Sequence, residues 1–274
     1  MSDLDSPPLD DDVARVLEAM KPRRRRNPRL AEPLREARDL EVDTPYGAVM
    51  AWRLDPWGSR GTAPATLLVH GWEDDNALWT PMIEALIHLG RPVVAFDLPG
   101  HGFSSAPDCT TGRAAAALRA VAEALGPIDS LVAHSFGCPV ATQALADGLQ
   151  VERAVLIATG WPGAAMSGLW ARIQEATGAD DETVARARAI AAENDKDFPP
   201  FAYEALASRM TTRALFLHSL DDENTPPENS GKLAELWGRD GGPGAALQWT
   251  DGLGHRRIAQ DDAIIATVVA FLES

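Results

Sequence analysis

Apolar runs at 66–70, 92–97, 130–134 and 153–158 alternate with helix-patterned stretches at 77–89, 112–125 and 138–148. Runs of Val, Leu, Ala and Ile without polar alternation belong to strands buried on both faces, and a strand–helix–strand order pairs such strands in parallel. This order predicts an α/β fold with a mostly parallel twisted sheet flanked by helices, and with its functional loops at the strands' C-terminal edge. Two further strands at 40–44 and 49–54, joined at Tyr46-Gly47, read as a hairpin before the alternation begins. Strands at 214–218 and 246–249 continue the sheet after it.

The third run ends in Ala133-His134-Ser135-Phe136-Gly137. A serine flanked by small residues directly after an apolar strand implies a sharp strand-to-helix turn with the serine at its apex. The positions two before and two after it crowd each other, which Ala133 and Gly137 tolerate. Such a turn exposes the hydroxyl and aims the backbone N–H of Phe136, at a helix start, toward negative charge on a ligand. The same pentapeptide would also serve as a junction whose serine merely caps the helix. The two readings separate on whether a histidine and a carboxylate follow, because a serine hydroxyl needs a base and the base needs an orienting acid.

Six histidines allow elimination. His70 and His101 lie in glycine-bearing turns upstream of the serine, where they shape loops. His88 belongs to a helix, His218 to a strand, and His134 to a strand end that points away from the serine side chain. His255 remains, in the glycine-rich segment Gly252-Leu253-Gly254-His255 between the last strand and the last helix. For the acid, the adjacent Asp221 and Asp222 leave the strand 214–218 ahead of a helix beginning near Pro226. Both remain candidates from the residues alone.

With these motifs in hand the chain resembles a serine hydrolase of the α/β-hydrolase family, esterase-like and with a helical cap, whose triad runs Ser, then Asp or Glu, then His. The resemblance extends from about residue 40 to the C-terminus. Leu67-Leu68-Val69-His70-Gly71-Trp72 resembles the family's oxyanion loop, Phe96-Asp97-Leu98-Pro99-Gly100-His101-Gly102 the loop after the next strand, and Ala133 to Gly137 the nucleophile elbow. It implies Ser135 as nucleophile, Asp222 as acid, His255 as base, and the backbone N–H groups of Trp72 and Phe136 as oxyanion donors. Ala133 and Ser219 stand where the family commonly has glycine, a difference of loop shape and not of chemistry.

Between 161 and 212 the alternation stops, and helical stretches at 164–177, 180–194 and 200–210 replace it. An insertion of this length is too long for a simple connection. The resemblance implies a cap over the nucleophile, with Trp161, Met166, Leu169 and Trp170 as pocket-lining candidates or as packing residues between cap and body. Residues 1–38 read as an N-terminal helical arm before a hydrolase domain at 39–274. In that arm Val13, Val16, Leu17 and Met20 recur at helical spacing, between Asp10-Asp11-Asp12 at the start and Lys21 to Arg26 at the end, as a helix dipole prefers.

The formal net charge of −15 argues against binding a phosphate backbone. Cys109 and Cys138, the only cysteines, are too few for a disulfide framework. No cofactor or metal site is visible. The acidic N-terminus lacks a basic region followed by an apolar stretch, and no run is long enough to span a membrane, so a cytoplasmic protein is expected. The expected partner is a small ester-type substrate, with no nucleic acid and no membrane. Thioesterases, amidases and carbon–carbon bond hydrolases use the same triad, and a non-catalytic ligand-binding protein is the alternative of another class.

Overall fold

In the computed structural model, residues 10–24, 27–57, 61–160, 162–194 and 202–274 are described, with side chains left out over 162–169. Strand β1 (Arg38–Val42) pairs antiparallel with β2 (Val49–Leu54), the hairpin expected from Tyr46-Gly47. Then follow β3 (Ala65–Val69), helix α2 (Thr80–His88), β4 (Val93–Phe96), α3 (Thr111–Leu125), β5 (Ile128–His134), α4 (Gly137–Ala146) and β6 (Arg153–Ile157). After the insertion come β7 (Arg213–Ser219), α8 (Glu228–Leu236), β8 (Ala245–Thr250), the single-turn α9 (Gly254–Arg257) and α10 (Asp262–Glu273). The eight strands lie in the order β1-β2-β4-β3-β5-β6-β7-β8. From β4 to β8 every pairing is parallel. The expected α/β architecture is what the chain forms.

Strand periodicity divides the core into two layers. Leu67, Val69, Leu131, Ala133, Leu156 and Phe216 point to one face, where Leu118 and Val121 of α3 and Val140 and Ala144 of α4 cover them. Their neighbours Leu68, Val132, Val155, Ile157 and Leu217 point to the other, against Met82 and Leu86 of α2 and Ile264 and Val268 of α10. Each fully buried Leu, Ile or Val contributes about 1.5–3 kcal/mol of transfer free energy. The register pairs Val69 with Ala133 and Ala133 with Leu156, so the strand ends that carry loops to Gly71, Ser135 and Ala158 lie side by side.

The stretch at 77–89 differs from one continuous helix. A 3₁₀ turn spans Asn76–Trp79, and α2 begins at Thr80 with Pro81 in its first turn, where a missing N–H costs nothing. The N-terminal segment beyond Pro22 is a strap on the sheet unit: the N–H of Arg23 donates to Glu73 Oε1 at 3.1 Å and that of Ala31 to Asn76 Oδ1 at 2.8 Å. The exposed Arg24, beyond the C-terminal end of the N-terminal helix, donates to the carbonyl of Ala106 at 3.1 Å.

The chain separates into two compact units, one of residues 1–22 with 163–200 and one of 23–162 with 201–274. Within the smaller unit, α1 (Asp11–Ala19) meets α5 (Pro162–Thr177) and α6 (Asp181–Asn194), with Val13, Val16, Trp170, Ile173, Val184 and Ala187 forming its core. The third helical stretch of the insertion is a short α7 (Tyr203–Ser208) in the larger unit. No helix among the described residues is long and apolar enough to cross a membrane.

Helix α4 starts directly beneath the end of β3: a Cβ on Gly137 would lie 2.4 Å from the Val69 carbonyl oxygen and 2.7 Å from that of His70. Both obstacles are backbone and cannot rotate away. Gly137→Ala is therefore expected to destabilise the protein by about 2–3 kcal/mol, a fall in melting temperature of roughly 5–10 °C. Gly160→Ala, whose Cβ meets nothing closer than 3.9 Å, should melt near the wild type in the same calorimetric scan.

Candidate active site

Ser135 follows the last residue of β5 and adopts φ +54°, the left-handed region that a non-glycine residue enters only under constraint. Neighbouring strands hold it there: its N–H donates to the Ile157 carbonyl at 2.9 Å, and its carbonyl accepts from Cys138 N at 3.0 Å. The loop after β3 comes so close that a Cβ on Gly71 would sit 2.8 Å from Ser135 Cβ. Glycine at 71 lets that loop lie against the serine. The rings of the half-buried Trp72 and Phe136 meet edge-to-face with centroids 5.3 Å apart, so the two backbone donors named from the sequence belong to adjoining residues.

The loops after β7 and β8 bring the other two groups. His255, expected in an irregular loop, lies in the one-turn α9. Its Nε2 is 2.9 Å from Ser135 Oγ and its Nδ1 is 2.8 Å from Asp222 Oδ2. With the proton on Nδ1 donated to the carboxylate, Nε2 is left to accept from the serine hydroxyl. Asp221 turns elsewhere: it accepts from Ser219 Oγ in a very short contact and from Gly254 N at 3.0 Å, bracing the loop that carries His255.

Asp222 is buried and richly supplied with donors. Its Oδ1 accepts from the N–H groups of Asn224 and Thr225 at 2.8 and 3.0 Å. Its Oδ2 accepts from Thr225 Oγ1 at 2.8 Å and His218 Nε2 at 3.1 Å, besides His255. Burial alone would raise its pKa, but the hydrogen bonds from His218, His255 and the Thr225 N–H outweigh it and hold the carboxyl well below the usual carboxylate range.

Two histidines set aside as strand residues therefore touch this site. The strand assignment placed His134 facing away from the serine, but its ring packs against that of His255 with centroids 4.9 Å apart, and its Nε2 donates to the His255 carbonyl at 2.7 Å. Burial, followed by the nearby His255, pushes its pKa down to about 4, which keeps it neutral. His218 was legible only as part of an apolar run; its spacing of four from Asp222 was the available signal, hidden because residues after a strand do not follow strand periodicity. His70 and His101 do shape loops: His70 Nε2 accepts from Leu98 N at 3.0 Å and His101 Nε2 from Glu73 N at 2.9 Å. Cys138 is fully buried, and burial pushes its thiol up to about 12, as suits inert packing.

Of the pocket-lining candidates, Trp170 is buried in the smaller unit, with the Arg188 guanidinium 5.1 Å from its ring centroid. Trp161 and the side chains of Met166 and Leu169 lie outside the described residues. No three His, Cys, Asp or Glu among the described residues are grouped to hold a metal ion.

Because the carboxyl of Asp222 is depressed on folding, the stability it confers is fully present above the unfolded value of about 3.9 and is lost as pH falls below it. Thermal unfolding of wild type and Asp222→Asn should differ by a constant amount above about pH 5, and the difference should shrink from about pH 4 downward. A difference that stays constant from pH 6 to 3 would contradict the ionised, hydrogen-bonded carboxylate.

A family model described as the alpha/beta hydrolase fold matches residues 64–263. No curated protein sequence matches the chain. Among solved structures, the Pyrococcus furiosus esterase Pf2001 superposes with a TM-score of 0.68 at 19% identity, over 93% of this chain and 96% of that one. Est1E from Butyrivibrio proteoclasticus, solved with ferulic acid bound, gives 0.61 at 15% identity over 86% and 100%. The alpha/beta hydrolase domain-containing protein 10 from mouse gives 0.61 at 17% over 87% and 97%. At these identities the superpositions speak for the scaffold alone. The family match itself runs from the strand before Gly71 through the segment bearing His255, and the chain belongs to the alpha/beta hydrolase fold family.

Proposed function

We propose that the protein is a serine hydrolase that cleaves a small ester-type substrate through an acyl-enzyme on Ser135. The observation that carries this reading is the unbroken line of contacts from Ser135 Oγ to His255 Nε2 at 2.9 Å and from His255 Nδ1 to Asp222 Oδ2 at 2.8 Å. A serine that only caps a helix has no use for such a line.

In this mechanism the Ser135 hydroxyl attacks the substrate carbonyl while His255 Nε2 takes its proton. Asp222, ionised and fixed by its own donors, stabilises the imidazolium that forms. The tetrahedral oxyanion is held by the backbone N–H groups of Trp72 and Phe136, whose residues adjoin the serine through Gly71 and the elbow. Collapse expels the alcohol, which leaves with the proton returned by His255. Water then repeats the attack on the acyl-enzyme with His255 again as base, and Ser135 is regenerated. The mechanism calls for no cofactor. Esterases among the proteins that share the scaffold accord with an ester substrate, while a thioester, an amide or a carbon–carbon bond would engage the same three side chains.

A panel of 4-nitrophenyl esters of increasing acyl length tests this directly. Wild type should hydrolyse the short members, and Ser135→Ala, melting at the wild-type temperature, should lose roughly 10⁴-fold or more in kcat/KM. Equal rates in the two proteins would remove Ser135 from the chemistry. Binding of a small ligand with no hydrolysis of any ester would favour a receptor in its place.

A further inference from the structure

His218 is completely buried, and the mechanism above does not use it. It lies in β7, four residues before Asp222. Its Nε2 faces two acceptors, Asp222 Oδ2 at 3.1 Å and the Thr225 carbonyl at 3.2 Å, so that nitrogen carries a proton. Its Nδ1 is 2.6 Å from the hydroxyl of Ser230, itself fully buried in α8. With the ring proton on Nε2, the serine hydroxyl donates to Nδ1. Among the described residues, the groups that face the ring are Asp222, the carbonyl and hydroxyl of Thr225, Ser230, and the Trp249 ring with its centroid 6.4 Å away. Asp222 is the one charged group among them; the His255 ring faces Asp222, Thr225 Oγ1, Ser135 Oγ and the neutral His134 ring, whose centroid is 4.9 Å away.

The carboxylate oxygen that receives the His255 proton-bearing nitrogen thus receives a second imidazole as well. We infer that His218 is a positioning residue that fixes Asp222 by donating to the oxygen shared with His255, and thereby sets the pH below which His255 stops acting as a base. This rests on the serine-hydrolase reading.

One carboxylate divides its charge among the donors it accepts from. Each N–H that donates to Oδ2 stabilises the anion and weakens its pull on the other donor. With His218 present, His255 is held in place by a carboxylate whose charge is partly spent on another donor. Remove the His218 donor and, with the N–H groups of Asn224 and Thr225 and the Thr225 hydroxyl still bound, a larger share of that pull falls on His255, so the acid limb of activity moves to higher pH. The Asp222 Oδ2 then rests on Thr225 Oγ1 and on the partner it is meant to align, while Oδ1 keeps the N–H groups of Asn224 and Thr225. The Ser230 hydroxyl contributes at one remove. By donating to Nδ1 it makes Nε2–H a stronger donor, as hydrogen bonds in a chain polarise one another.

Three variants test the inference, read by 4-nitrophenyl acetate hydrolysis and by the second-order rate of fluorophosphonate labelling across pH 5 to 9. His218→Leu removes the donor. It should lower kcat/KM about 10- to 100-fold through kcat, by analogy with the loss of outer partners that orient reacting groups. Its acid limb should also move up by roughly half a pH unit or more. His218→Gln, whose amide keeps an N–H toward Asp222, should recover most of the rate and return the limb to the wild-type position. Ser230→Ala should shift the limb in the same upward direction by less. An unmoved acid limb in folded His218→Leu overturns the inference, as does a Gln variant no better than Leu, which would mark His218 as a packing residue. Should the Leu variant fail to fold, Ser230→Ala decides: an upward shift supports the inference, and an unmoved limb overturns it. Loss of Ser135-dependent labelling in wild type would instead overturn the serine-hydrolase reading itself, so the two failures are distinguishable.

Discussion

The ionised carboxylate of Asp222 is the interaction on which the site depends. A buried charge is tolerated only when its lone pairs are met, and here they are met by donors from separate parts of the chain: the turn after β7, the strand residue His218, and His255 from the segment after the neighbouring strand β8. Those same bonds that keep the carboxyl ionised also fix the direction of His255. Stability and alignment are in this sense one property, because withdrawing a donor to loosen the base would also expose the charge to an apolar surrounding.

A second constraint is steric and lies in the backbone. Parallel pairing of β3, β5 and β6 brings their C-terminal ends level, and the turn at Ser135 fits only because residues 71 and 137 have no side chain. The strained φ of Ser135 is held by a bond to the carbonyl of Ile157, the last residue of β6, and by one from the N–H of Cys138 in the buried start of α4. Burial of the apolar strands thus supports the geometry of a polar site at their edge. The same edge receives the N-terminal strap, whose bonds to Glu73 and Asn76 secure the segment following Trp72.

The fold was legible because every link of the alternation is local: a strand buried on both faces shows itself in a few consecutive residues, as at Leu67 to Val69 or Val155 to Ile157. The turn at Ser135 was legible for a similar reason, since its neighbours must be small. His255 followed from eliminating five other histidines. The choice between Asp221 and Asp222 was not legible from the residues, because two adjacent carboxylates leave a turn in opposite directions and the turn itself decides which one faces the ring. Neither His218 nor His134 was recognisable, since each is part of a strand pattern and its partner lies in another segment. The association of α1 with α5 and α6 joins residues about 150 positions apart, a contact for which local periodicity carries no signal. Pro81, by contrast, marked the start of α2 in plain view and was absorbed into a longer helix.

In the proposed function, the hydroxyl of Ser135 is made reactive by a relay through two distant side chains. Treating the protein with diisopropyl fluorophosphate and mapping the product by peptide mass spectrometry tests it most directly. The account predicts a single adduct, carried by the peptide containing Ser135. A folded protein that remains unmodified, or an adduct on any other residue, would contradict it.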